Sequence, residues 1–161
     1  MKISKFLAEV GKTEKDLIIY KTEEEVFDAV RRCGTALKYL KNQTYELCLE
    51  AVRHDGLSLV FVKDQTPELC LEAVKQNGEA LMFIKDQTNE LCLEAVKQNG
   101  CALRFVKNQK YELCFEAIKQ NGLAVAYVKD QTPELCLAAV KQDEWAMKYV
   151  DPNVFEIDIK M

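Results

Sequence analysis

The chain has 161 residues, the size of one domain, and a net charge of −4. That balance is unlike a strongly basic nucleic-acid binder, and no run of about 18 apolar residues is present to span a membrane. With 6 Gly and 3 Pro, and 48% hydrophobic against 30% charged residues, the composition is that of a soluble globular protein rather than a disordered or Pro-rich chain.

In chain order, residues 1–21 stand outside any periodicity, but Phe6, Leu7, Leu17, Ile18 and Ile19 can cover the apolar face of the first repeat. Met1 to Glu9 lacks the long apolar core and small-residue cleavage site of a secretory signal, which points to the cytosol. From Thr44 the chain lays under itself without a gap as Thr44–Gln65, Thr66–Gln87, Thr88–Gln109, Lys110–Gln131 and Thr132–Asn153. Thr22–Gln43 fits more loosely in front. The shared 22-residue pattern is T-x-E-L-C-L-E-A-V-K-Q-N-G-x-A-L-x-F-V-K-D-Q, and a fixed period of this length signals a solenoid or array.

Each unit reads as helix, turn, helix. Thr66 and Thr132 stand at an N-cap, followed by Pro67 and Pro133 at the first helical position and by Glu68 and Glu134, where a carboxylate suits the positive helix end. Leu69, Cys70, Leu71, Ala73 and Val74 spread over roughly 200° of the helix, an arc wide enough to need neighbours on two sides. Gly78, Gly100 and Gly122 each follow an Asn, in the place of a left-handed C-terminal cap. A second, shorter helix is expected from Glu79 to about Lys85, with Ala80, Leu81, Phe83 and Ile84 on its core face. One such unit is too short to fold alone, so stability must come from the interfaces between units. The predicted architecture is an all-α solenoid of about six helix–turn–helix repeats forming a superhelix as a single domain, with degenerate caps at 1–21 and 154–161. The last repeat replaces Gly with Glu144, and Val154 to Met161 reads as a degenerate capping turn or a short extended tail.

Leu71-Glu72-Ala73-Val74-Lys75-Gln76-Asn77-Gly78, repeated at Leu93 to Gly100 and, with Phe and Ile variants, at Phe115 to Gly122, resembles the LxAVKQNG motif of a helical-repeat family of bacteria and giant viruses known as a domain of unknown function. The resemblance covers Thr44 to about Val150 and implies an α-helical repeat fold. It implies no activity and transfers no functional residue. Glu25, Val26 and Cys33 set the first repeat apart from the pattern.

Of the seven cysteines, Cys48, Cys70, Cys92, Cys114 and Cys136 recur at the repeat period on the apolar helix face. Stacked helices lie about 8–10 Å apart, beyond the roughly 7 Å between Cα atoms that a disulfide spans, so this column reads as reduced and buried. Cys101 falls at a variable, exposed position where a thiol could react. The single His54 reads as a solvated surface side chain and builds neither a catalytic triad nor a two-His metal site, and no CxxC pair is present for zinc. The single glycines make no phosphate loop. No cofactor, metal or catalytic residue is therefore assigned. Two glutamate columns, Glu46, Glu68, Glu90, Glu112, Glu134 and Glu50, Glu72, Glu94, Glu116, stand near lysines such as Lys75 and Lys97 at the spacing of surface ion pairs. Two basic columns, Lys63, Lys85, Lys107, Lys129 and Arg53, Lys75, Lys97, Lys119, Lys141, could follow a nucleic-acid backbone, but the interleaved glutamates oppose that.

What varies while the frame does not is a pair of places in each second helix: Thr35/Lys38, Leu57/Val60, Glu79/Met82, Cys101/Arg104, Leu123/Ala126 and Trp145/Lys148. Members of a pair are three apart and share a helix face, so stacking draws them into a stripe. Apolar side chains such as Met82, Leu123 and Trp145 on it mark a candidate protein-binding surface. The competing reading is relaxed drift at exposed sites, some covered by the next repeat. The expected function is a non-catalytic protein–protein interaction scaffold, an adaptor or an inhibitor; the alternative is nucleic-acid binding along the lysine columns.

Overall fold

The computed structural model describes residues 23–155. Within these residues six α-helices alternate with six short 3₁₀ helices. The α-helices are α1 (Glu23–Arg32), α2 (Tyr45–His54), α3 (Pro67–Gln76), α4 (Asn89–Gln98), α5 (Tyr111–Gln120) and α6 (Pro133–Gln142). They are followed in turn by the 3₁₀ segments Gly34–Tyr39, Gly56–Phe61, Gly78–Phe83, Gly100–Phe105, Gly122–Tyr127 and Glu144–Tyr149. A last 3₁₀ turn, Pro152–Phe155, covers the start of the expected C-terminal cap. Residues 156–161 and the expected N-terminal cap at 1–21 lie outside the described residues. Neighbouring α-helices pack on one another, and each from α2 to α6 also packs on the 3₁₀ segment before it, so the repeats stack in sequence.

The helix starts follow from the cap residues. Thr44, Thr66, Thr88 and Thr132 sit in the β region, and each Oγ1 accepts from the backbone N–H three residues on. Lys110 adopts the same backbone without a side-chain bond. Beside Thr66 and Thr132 the carboxyls of Glu68 and Glu134 are held below the ordinary carboxylate range, first by their own backbone N–H and then by the threonine hydroxyl.

The helix ends differ from the left-handed glycine cap that the Asn-Gly pairs suggest. Asn77, Asn99 and Asn121 are extended, with φ of −150°, −148° and −152°, and none of the five described glycines takes a left-handed φ. The asparagine instead begins the next element: Asn77 Oδ1 accepts from Glu79 N at 3.0 Å, and the same bond recurs at Asn99 and Asn121. The glycine is needed for space. A Cβ on Gly78 would lie 2.5 Å from Ala95 O and 3.0 Å from Gln98 Oε1, both in the following repeat. Glu144 occupies the same place in the last repeat, where no described repeat follows to crowd it.

The second helix is likewise tighter than expected: Gly78–Phe83 is a 3₁₀ helix that ends two residues before Lys85. With three residues per turn its side chains eclipse at i and i+3. Three lanes result. Leu81 and Ile84 line up with Gly78 in the core, Ala80 and Phe83 form a second inward lane, and Glu79 and Met82 form the outer one. The core is a continuous column of Leu47/Cys48/Ala51/Val52 and their equivalents, capped by Leu59, Leu81, Leu103 and Val125, all fully buried. Met147, which takes the last place in that series, is 61% exposed because no described repeat covers it.

Candidate interaction surface

The outer lane of the 3₁₀ helices divides the candidate stripe in two. Its second places, Val60, Met82, Arg104, Ala126 and Lys148, are all exposed, as is Trp145 at 79%. Of its first places, Thr35 is exposed too, and the middle four are partly covered. Leu57, Glu79, Cys101 and Leu123 are half-buried, and Leu57 and Leu123 pack against the core. The exposed line is thus narrower than the variable positions suggest. Glu79 reaches across one repeat to Arg104 at 2.7 Å, and Arg104 lies over the Phe105 ring at 4.5 Å, so these two are held in place. Cys101 is half-covered as well, with Asn121 Nδ2 3.4 Å from its sulfur.

Three of the four lysines of the first basic column are engaged with the fold. The ammonium of Lys63 donates to Leu40 O and Lys41 O, that of Lys107 to Lys85 O, and that of Lys129 to Lys107 O. Each caps carbonyls of the preceding loop. In the second basic column Lys119 pairs with Glu116, and Arg53 reaches Glu72 of the next repeat at 3.2 Å. All seven cysteines are free thiols, and burial raises the pKa of Cys48, Cys70, Cys92, Cys114 and Cys136. His54 is exposed.

Two glutamine columns emerge that the pattern alone did not separate. In the loops Gln43, Gln87, Gln109 and Gln131 are saturated, whereas Gln65 at the same period only donates from Nε2 to Phe83 O at 3.2 Å. Gln87 Nε2 donates to Leu81 O and Phe105 O, while its Oε1 accepts from Lys107 N at 3.0 Å and from the Cys92 thiol. Gln43, Gln109 and Gln131 repeat this set. Each is a staple between consecutive repeats.

The other column, Gln76, Gln98, Gln120 and Gln142, closes the α-helices and lines an open trough of about 830 Å³. Their Oε1 atoms accept from Gly56, Gly78, Gly100 and Gly122 N at 2.6–2.7 Å. A backbone N–H can only donate, which turns each amide oxygen inward and leaves the NH₂ group without an acceptor among the described residues. Asn77 and Asn99 beside them do the same, with Oδ1 in the 3₁₀ cap and Nδ2 unpartnered among the described residues. Asp55 bounds the trough at one end, and Asp143, Glu144 and Trp145 at the other. The signal for this lane was the recurring Gln-Asn of the motif, which a helix-end reading absorbs too early.

Helices stacked one repeat on the next around a shared core define a helical-repeat protein. Two overlapping stretches of it, residues 44–88 and 66–109, match the model of the family described as Domain of unknown function (DUF4116). No curated protein and no solved structure matches the chain. The same α–3₁₀ unit continues through Tyr149, beyond the matched residues.

Proposed function

We propose that the protein is a non-catalytic scaffold that binds a protein partner through the exposed line of Val60, Met82, Arg104, Ala126, Trp145 and Lys148. The observation that carries this reading is the contrast within each 3₁₀ helix. Two lanes are turned inward and nearly unchanged from repeat to repeat, while the third is more exposed and changes, including Val60 at 46%, Met82 at 50% and Trp145 at 79% exposure. Apolar side chains left in water along one line are what a partner surface requires. The unpaired thiol column supports residence in a reducing, cytoplasmic compartment. Nucleic-acid binding along the lysines has less support, since the ammonium groups of Lys63, Lys107 and Lys129 are directed onto backbone carbonyls of the fold.

The test is affinity capture from the native cells with the wild type and with a Val60→Ser/Met82→Ser/Trp145→Ser variant whose circular dichroism is unchanged. A protein recovered by the wild type alone is the expected result. Equal recovery by both would remove the reading. Leu123 is left intact because it packs on the core.

A further inference from the structure

We propose that the glutamine–asparagine trough is a second binding site, for an extended polypeptide in a polyproline-II-like conformation held through its main-chain carbonyls. The inference goes beyond the exposed line on the 3₁₀ helices and shares only Trp145 with it.

The chemistry of the trough is one-sided. Gln76, Gln98, Gln120 and Gln142 present amide NH₂ groups and keep their oxygens for the fold. Asn77 and Asn99 add donors of the same kind. The fold does not need those asparagine donors. Asp55 and Asp143 stand at the equivalent places and make the same cap bond, to Leu57 N at 3.0 Å and Trp145 N at 2.9 Å. An amide at Asn77 and Asn99 therefore contributes something the cap does not ask for: a neutral donor facing the trough.

A ligand for this lane must offer acceptors at the period of the repeat. Packed helices stand about 8–10 Å apart. A polyproline-II chain rises about 3.1 Å per residue with three residues per turn, so a carbonyl returns to the same side about every 9 Å, and its backbone makes no internal hydrogen bonds. One carbonyl per repeat can thus meet one glutamine NH₂. The carboxylates of Asp55 at one end and Asp143 and Glu144 at the other repel a polyanion and suit a peptide with a Lys or Arg near its ends. Trp145 supplies an exposed ring at one end of the lane.

The experiment is selection of a random twelve-residue peptide library displayed on phage against the full chain, followed by titration of the enriched peptides. The decisive variant is Gln98→Glu/Gln120→Glu. A carboxylate still accepts from Gly78 N and Gly100 N, so the fold is kept, but the donors become acceptors. Losing two hydrogen bonds and gaining repulsion should weaken binding by about tenfold or more. Asn99→Asp serves as an independent variant, since Asp already fills that role twice in the chain. The Val60→Ser/Met82→Ser variant should bind the same peptides as the wild type. The side-chain NH₂ signals of Gln98 and Gln120 should shift on titration. Failure to enrich any peptide overturns the proposal. So does equal binding by the glutamate variants, or binding of an oligouridylate RNA in place of peptides.

Discussion

Replacing Gly100 by Ala tests the reason for the repeat's glycine. The added Cβ would lie 2.5 Å from Ala117 O, 2.8 Å from Gln120 Oε1 and 3.1 Å from Asn121 Cβ. Two of these are backbone or backbone-anchored atoms of the next repeat, so the clash cannot be relieved by one rotamer. The interface between two repeats must open instead. Overpacking of this kind costs about 1–3 kcal/mol. Stretching the Gly100 N–H bond to Gln120, now 2.7 Å, removes about 1 kcal/mol more. The sum, about 2–4 kcal/mol, corresponds to a fall in Tm of roughly 6–12 °C for a chain of this size. Urea titration followed by circular dichroism measures it directly. Gly100→Asn separates this account from the left-handed cap. An Asn is tolerated in a left-handed position but adds still more bulk in a crowded one, so it should be no milder than Ala. A loss below about 0.5 kcal/mol for Gly100→Ala would refute the crowding argument, and so would an Asn variant more stable than the Ala one.

Ser58 is buried with its Oγ unpartnered, where the other repeats carry Ala, so Ser58→Ala should stabilise the chain by about 1 kcal/mol in the same titration. Gln87→Ala removes two donors and an acceptor from between two repeats and should cost about 2–3 kcal/mol, several times the effect of Gln76→Ala at the open trough. In native protein a thiol reagent should reach Cys33 and Cys101, both half-buried, well before the five buried cysteines; uniform labelling of all seven would contradict the packing. Burial raises the folded pKa of those five thiols, so their contribution to stability is full below the unfolded thiol value of about 8.5 and is lost as pH rises past it; a denaturation midpoint that stays level from neutral pH well into the alkaline range would count against their burial.

The architecture was legible because it rests on repetition: period, N-cap threonines and the Leu-Cys-Ala-Val face recur as residue types at fixed spacing. Two local features were not. The Asn-Gly pair is ambiguous in sequence, since a left-handed cap and a close approach both call for glycine, and only the position of the next repeat's Ala carbonyl decides between them. The 3₁₀ form of the second segment goes with its six-residue length and, in five of the six described repeats, with an Asn or Asp side chain capping two residues on, while Cys33 opens the same form without a side-chain bond. An apolar pattern of that length fits either helix type. The stripe was half legible for a related reason. A single chain shows which positions vary, but Leu57 and Leu123 are half-buried against the shared core, and such coverage depends on how tightly the stack is drawn.

The two glutamine columns make the same point about function more sharply. Gln87 and Gln98 are the same residue, eleven positions apart, each recurring at the repeat period. Gln87 has both amide hydrogens and its oxygen engaged, and its removal should be felt as lost stability alone. Gln98 uses only its oxygen, for Gly78 N. Glutamate could make that bond as well, and with the macrodipole at a helix C-terminus disfavouring a carboxylate by only a few tenths to about 1 kcal/mol, stability alone gives weak reason to hold amides at all four places. A column that keeps a neutral donor in every repeat from Gln76 to Gln142, pointed at an open trough, is therefore better explained by what it meets outside the chain than by what it holds within it. If Gln98→Glu/Gln120→Glu instead lowers Tm as much as Gln87→Ala does, the amides are structural and that argument fails.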